Sequence, residues 1–221
     1  MRCVRIWFNK TGNIRFISHL DLMRTMSRAI RRSNIPLWYT EGFNPHPYMT
    51  FALPLSLGME SVCESMDIKI EGDITNEEIF ALLRDVMPCG IEITGVTDFK
   101  TDPKYIAFGK FEISFFGASD NNAISDLIKN MLSENELIVQ KLGKKGRRKV
   151  YKDINLIEFI KAYDTRVEDE RAVLEITLPA GSTTNVNPSL LADEIVKRSN
   201  EEISYRILRK ALLTDNMADF E

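Results

Sequence analysis

Apolar and polar residues alternate from Val4 to Asn9, the period of a half-buried strand, and the run ends at the turn signal Lys10-Thr11-Gly12-Asn13. The pattern then changes to helical spacing, with Ser18 placed to cap a helix that runs to about Ser33. Pro36 closes that region. Pro36 to Thr40 and Tyr48 to Leu53 read as short strands on either side of a Gly-Phe-Asn-Pro-His-Pro loop. Ser65 to Glu71 alternates cleanly as a strand. Thr75 opens a second helix, with Glu78 three residues on as a capping box. Ile79, Leu82, Leu83 and Val86 form its apolar stripe, and Pro88 stops it. Ile91 to Phe99 is the last strand of this half.

The second half repeats the order. Lys110 to Phe116 reads as a strand, and Asp120 caps a helix with a stripe of Ile124, Leu127, Ile128 and Met131. Leu137 to Leu142 and Arg148 to Ile154 read as a hairpin around a basic turn. Ala172 to Leu178 is a strand, Asn187 caps a helix with Pro188 at its first position, and Ile203 to Leu212 closes the series. The tail from Thr214 is expected to fray. The repeat predicts an α+β protein of two tandem ferredoxin-like (split βαβ) modules with antiparallel sheets, over residues 1–100 and 101–221, joined near residues 100–109. Right-handed crossovers put both helices of a module on one sheet face and leave the other free to bind or pack.

The first helix has two distinct faces. At 100° per residue, Leu22, Met23, Met26, Ala29 and Ile30 fall within an arc of about 120° that turns to the core. Arg24, Arg28, Arg31 and Arg32 share an opposite arc of about 100°. Guanidinium forks suit phosphate or carboxylate, although arginines near a helix C-terminus also serve simply to complement its dipole. Asp21 lies on the basic face and can pair with Arg24 one turn later. His19 falls in the apolar arc at the first turn, where the helix N-terminus favours a neutral imidazole.

The loop after this helix is stiff. Gly42 permits a φ that other residues resist, while Pro45 and Pro47 bias Asn44 and His46 to extended backbone. Phe43 and Tyr48 offer flat faces for stacking on a base, or else complete the core.

Charge adds to this picture. The net charge is −3, yet Arg2, Arg5, Lys10, Arg15, Arg24, Arg28, Arg31 and Arg32 face only Asp21 and Glu41 within the first fifty residues. A second basic cluster spans Lys141 to Lys152. Overall acidity argues against indiscriminate nucleic-acid coating, whereas local basic patches suit a directed contact. No apolar run nears the roughly 20 residues of a membrane span, and Met1 to Lys10 reads as no signal peptide, so a cytoplasmic location is expected. Cys3, Cys63 and Cys89 are too far apart for a disulfide framework, a zinc site or an iron–sulfur centre. No phosphate-binding or dinucleotide glycine motif is present, and no cofactor is expected.

These residues carry a resemblance. The pattern Arg15, Phe16, Ser18, His19, Asp21, Arg24, then Arg28, Arg31, Arg32, then Gly42, Phe43, Asn44, Pro45, His46, Pro47, then Phe51-Ala52-Leu53-Pro54-Leu55 resembles the radical-SAM-linked protein family. The resemblance is tightest over the first 70 residues or so. It implies a small accessory partner of a radical SAM enzyme, with the radical chemistry held by that enzyme. A weaker likeness is to CRISPR-repeat RNA-processing endonucleases, which pair ferredoxin-like modules and use an early helical histidine as base; their C-terminal glycine-rich loop is not evident here.

Three functions follow as expectations. The first is a non-catalytic module that presents RNA or another anionic substrate to a radical SAM enzyme. Its binding residues would be Arg15, Ser18, His19, Asp21, Arg24, Arg28, Arg31, Arg32, Gly42, Phe43, Asn44 and His46, with the guanidiniums and the proline-braced loop forming one concave positive surface. The second is a metal-independent RNA endonuclease with His19 or His46 as general base. The third is a protein adaptor whose basic helix docks on an acidic face.

Overall fold

The computed structural model describes residues 1–145 and 148–221. The chain divides into two units, Met1–Tyr105 with Phe220–Glu221, and Ile106–Asp219. Both are α+β with antiparallel strand pairing.

In the first unit the order is β1 (Arg2–Lys10), α1 (His19–Arg32), β2 (Met49–Phe51), β3 (Glu60–Ile70), α2 (Asn76–Arg84) and β4 (Ile91–Asp98). β1 pairs with β3 and with β4, and β2 pairs with β3, so the strands lie in the order β4-β1-β3-β2. Val4, Ile6 and Phe8 alternate along β1 and meet Leu22, Met26 and Ile30 of α1 and Ile79 and Leu83 of α2 in one core cluster. Each such side chain contributes roughly 1.5–3 kcal/mol on leaving water.

The caps form as the sequence suggests. Ser18 Oγ accepts from the Asp21 amide at 3.1 Å. Thr75 and Glu78 form the reciprocal capping box. Two expectations narrow. Leu82 is exposed, leaving Ile79 and Leu83 as the buried stripe of α2, which ends at Arg84 before Val86. Pro36 to Thr40 forms the isolated bridges Leu37↔Ile70 and Tyr39↔Pro47 rather than a continuous strand; Trp38 N still donates to Lys69 O at 2.9 Å, while Pro36 and Pro47 have no N–H to add to a ladder.

The second unit runs β5 (Ile106–Phe116), α3 (Asn121–Leu132), β6 (Ile138–Lys145), β7 (Arg148–Asn155), β8 (Ala162–Glu168), β9 (Arg171–Pro179), α4 (Ser189–Ser199) and β10 (Ser204–Thr214). Its sheet has the order β10-β5-β9-β8, the arrangement of the first unit again, while β6 and β7 form a separate two-stranded sheet. The hairpin expected at 137–154 is therefore an insertion, and the strand completing the repeat is β8, which the sequence pattern does not mark. β8 is an edge strand with few buried side chains, so it lacks the alternation of a half-buried strand. Asn187 Oδ1 accepts from the Ser189 amide at 3.0 Å, the capping expected of it, with Pro188 between them in helical geometry as the first helical residue. The tail is not frayed. Thr214 N donates to Ala218 O at 2.9 Å, and Phe220 is 5% exposed. The basic turn at Lys144 to Lys149 lies outside the described residues at Gly146 and Arg147, and the side chains flanking them lie outside as well.

Candidate anion-binding groove

Helix α1 projects its basic face as the 3.6-residue period requires: Arg24, Arg28, Arg31 and Arg32 are all exposed, while Leu22, Met26, Ala29 and Ile30 are buried. Between this face and the proline loop lies a groove of about 360 Å³, lined by Met23, Arg24, Ser27, Arg28, Arg31, His46, Pro47 and Met49. Thus three of the four arginines share a concavity with one histidine. Among the described residues, no carboxylate pairs with Arg28 or Arg31. Arg24 pairs with Asp21 at 3.1 Å. Asp21 also accepts from Ser18 Oγ at 2.7 Å, and these two contacts, Ser18 first, hold its carboxyl below the usual carboxylate range.

The loop is braced from within. Thr40 N donates to His46 O at 2.9 Å, and His46 N donates to Thr40 Oγ1 at 3.2 Å. His46 Nδ1 lies 3.1 Å from both Thr40 Oγ1 and Asn44 O, which leaves Nε2 for the groove. Gly42 has φ +129°, a backbone region closed to other residues. Phe43 and Asn44 stand exposed at the tip. Tyr48 is not a free stacking face. With Trp38 it encloses Lys69, whose Nζ lies 4.4 Å from the Tyr48 ring centre and 4.9 Å from that of Trp38.

The remaining residues singled out from the sequence lie apart from the groove lining. Arg32 Nη2 donates to Val86 O at 3.1 Å. Arg15 reaches Glu60 at 3.8 Å and packs over Phe16, while its carbonyl accepts from Gly58 N and Lys10 Nζ. His19 is half-buried with its ring edge-on to Phe51, centres 5.3 Å apart. Its pKa is lowered, first by burial and further by Lys10, with Glu64 opposing. Burial thus acts in the direction expected at this position, toward the neutral imidazole. Met23, Ser27 and Met49 join the lining without having been singled out for it. Met23 sits at the edge of the apolar arc, which is the one signal the helical pattern held.

No group of three or more His, Cys, Asp or Glu side chains among the described residues could hold a metal ion. No helix among them is long and apolar enough to cross a membrane. Cys3 and Cys89 are free thiols, and Cys63 Sγ lies 3.5 Å from Ser61 Oγ.

Fold and site together define an α+β protein with a basic groove between its first helix and a proline-stiffened loop. The chain belongs to the family of uncharacterized proteins conserved in bacteria designated DUF2344, whose match spans residues 3–188. No curated protein matches the sequence. Among solved structures, a chain of a Cbf5-Nop10-Gar1 complex is similar in fold, with TM-score 0.51 and 9% identity over 95% of this chain and 48% of that one. The present chain thus spans about half the length of that match. An unknown protein from Galdieria sulphuraria aligns over 94% of this chain and 98% of its own at 11% identity, with a TM-score of 0.28, below that of a shared fold.

Proposed function

We propose that the chain is a non-catalytic binding module of two ferredoxin-like halves that holds an anionic substrate, RNA foremost, for a radical SAM enzyme. The observation that carries this reading is the groove that unites Arg24, Arg28, Arg31 and His46, with Arg28 and Arg31 lacking any carboxylate of their own among the described residues. Two guanidiniums left without partners beside each other repel, and an incoming phosphate or carboxylate relieves that repulsion with forked hydrogen bonds. The strand order common to both units supports the ferredoxin-like reading. The enzyme partner rests on the motif from Arg15 to Leu55, and the scattered cysteines assign any cluster chemistry to that partner.

The test is binding of an RNA oligomer across a salt series. Affinity is expected to fall steeply with salt, since each phosphate contact releases counterions. It is expected to collapse in Arg28→Glu with Arg31→Glu. A flat salt dependence, or unchanged affinity in that variant, overturns the reading. Capture of the partner from native lysate, with crosslinked RNA identified, tests the accessory role.

The placement of His46 in the groove favours one rival, an RNA endonuclease with His46 as general base. It requires cleavage in EDTA that is lost in His46→Ala.

A further inference from the structure

Phe43 is 105% exposed, the most exposed large apolar side chain among the described residues. Its position is fixed by the chain and not by slack. The loop that carries it is closed by the Thr40–His46 hydrogen bonds and the Tyr39↔Pro47 bridge, turned by Gly42 at φ +129°, and stiffened by Pro45 and Pro47. The same loop lends His46 and Pro47 to the groove, three and four residues along, so the Phe43 backbone stands within about 15 Å of chain from those two lining residues. An apolar ring held in water on a loop that also lines a basic groove asks for a ligand with both anionic and flat apolar parts.

Several anions would satisfy the arginines, but they differ in what they offer Phe43. Inorganic polyphosphate offers nothing flat. Duplex RNA keeps its bases stacked inside and presents backbone. A strand with unpaired bases offers phosphates to guanidiniums and a π-face to the ring. Arg24, Arg28 and Arg31 are spread over about 10 Å of helix axis, enough for successive phosphates of one strand. Asn44, exposed next to the ring, carries both a donor and an acceptor for a base edge. Resting on the groove reading above, we infer that the ligand is a single-stranded nucleic acid, with its phosphates along Arg24, Arg28 and Arg31 and one unpaired base stacked on Phe43.

The test compares four probes on the whole chain: oligouridylate, the same strand paired with oligoadenylate, inorganic polyphosphate, and polyglutamate. Affinities are measured by competition for the native protein, Phe43→Ala and Phe43→Trp. The single strand is expected to bind about tenfold or more tighter than the duplex or polyphosphate. Phe43→Ala removes that margin and Phe43→Trp keeps it, while thermal melting of both variants stays native because the ring packs on nothing. Equal binding of strand, duplex and polyphosphate, or a margin that survives Phe43→Ala, overturns the base contact and leaves the anion groove standing. Preference for polyglutamate overturns it in favour of an acidic protein segment. Binding of none of the four removes the groove reading itself, and this inference with it.

Discussion

Arg5 and Asp67 meet across β1 and β3 as a two-pronged ion pair, Nε to Oδ1 at 2.7 Å and Nη2 to Oδ2 at 2.9 Å, with side chains 0% and 5% exposed. Nη2 also donates to the carbonyl of Thr101 at 2.8 Å and Nη1 to that of Glu221 at 3.0 Å, and the rings of Phe220, Phe99 and Trp7 surround the group. Arg5 thus ties the sheet face away from the helices to the segments that cover it. A charge so placed is costly to leave alone. Asp67→Ala is expected to destabilise the first unit by about 3–5 kcal/mol, because it strands a buried guanidinium. Arg5→Met combined with Asp67→Leu removes both charges and is expected to recover most of that loss. Both tryptophans, Trp7 and Trp38, lie in this unit, so urea unfolding followed by tryptophan fluorescence reports on it. Equal destabilisation in the single and double variants would show that packing, not charge pairing, sets the cost.

Gly90 is the most tightly enclosed glycine of the first unit. A Cβ there would sit 2.8 Å from Thr11 O and 2.9 Å from Ile14 Cγ2, at φ +89°. Thr11 N donates to Gly90 O at 2.9 Å, so neither segment can withdraw without losing that bond. Gly90→Ala is expected to cost about 2–4 kcal/mol, part from the left-handed backbone and part from the collision. Gly58 is the control, with φ +86° and nothing within 4 Å of its would-be Cβ, so Gly58→Ala carries only the conformational part, about 1 kcal/mol. Urea midpoints of the two variants check the ordering.

What could be read from the sequence divides along physical lines. Helix α1 was legible because its 3.6-residue period, its Ser18 cap and its arginine arc agree with one another. The α+β class followed from the order of such elements. β8 was not legible, because an edge strand exposed along most of its length leaves no alternation to detect. Nor could a helical wheel separate Arg28 from Arg32. The arc gives direction, but whether a guanidinium stays free depends on a carbonyl 54 residues away, at Val86. For the same reason Arg15 and His19, adjacent in the motif to the groove residues, are held by Glu60 and Phe51 and do not join its lining.

The state of His19 gives the first unit a pH dependence of definite sign. Burial lowers its pKa below the ordinary 6.5, with Lys10 adding to the shift and Glu64 opposing it. As pH falls past 6.5 the unfolded chain takes up a proton that the folded chain does not, so the unfolded state gains. The contribution is complete above 6.5 and is lost as pH falls through the lower folded value. The urea midpoint of the native protein is therefore expected to drop between about pH 7.5 and pH 5 by more than that of His19→Gln, which cannot titrate in this range. Parallel midpoints in the two proteins would contradict a half-buried imidazole with a lowered pKa.

The groove makes a positional prediction that separates arginines on one helix face. For a single strand, each phosphate contact contributes about 0.7 to the slope of log affinity against log salt. Arg28→Gln with Arg31→Gln removes two cations that line the groove, so the slope for a single-stranded RNA oligomer is expected to shrink by about 1.4. Arg32→Gln removes a cation of the same charge on the same helix, but one whose guanidinium is bound to the Val86 carbonyl and which does not line the groove. Its slope is expected to stay within the error of the native value. Each substitution removes one positive charge, so per residue the variants differ in position alone. If Arg32→Gln lowers the slope as much per residue as the groove pair does, binding is a general attraction to the basic helix and the concavity has no part in it.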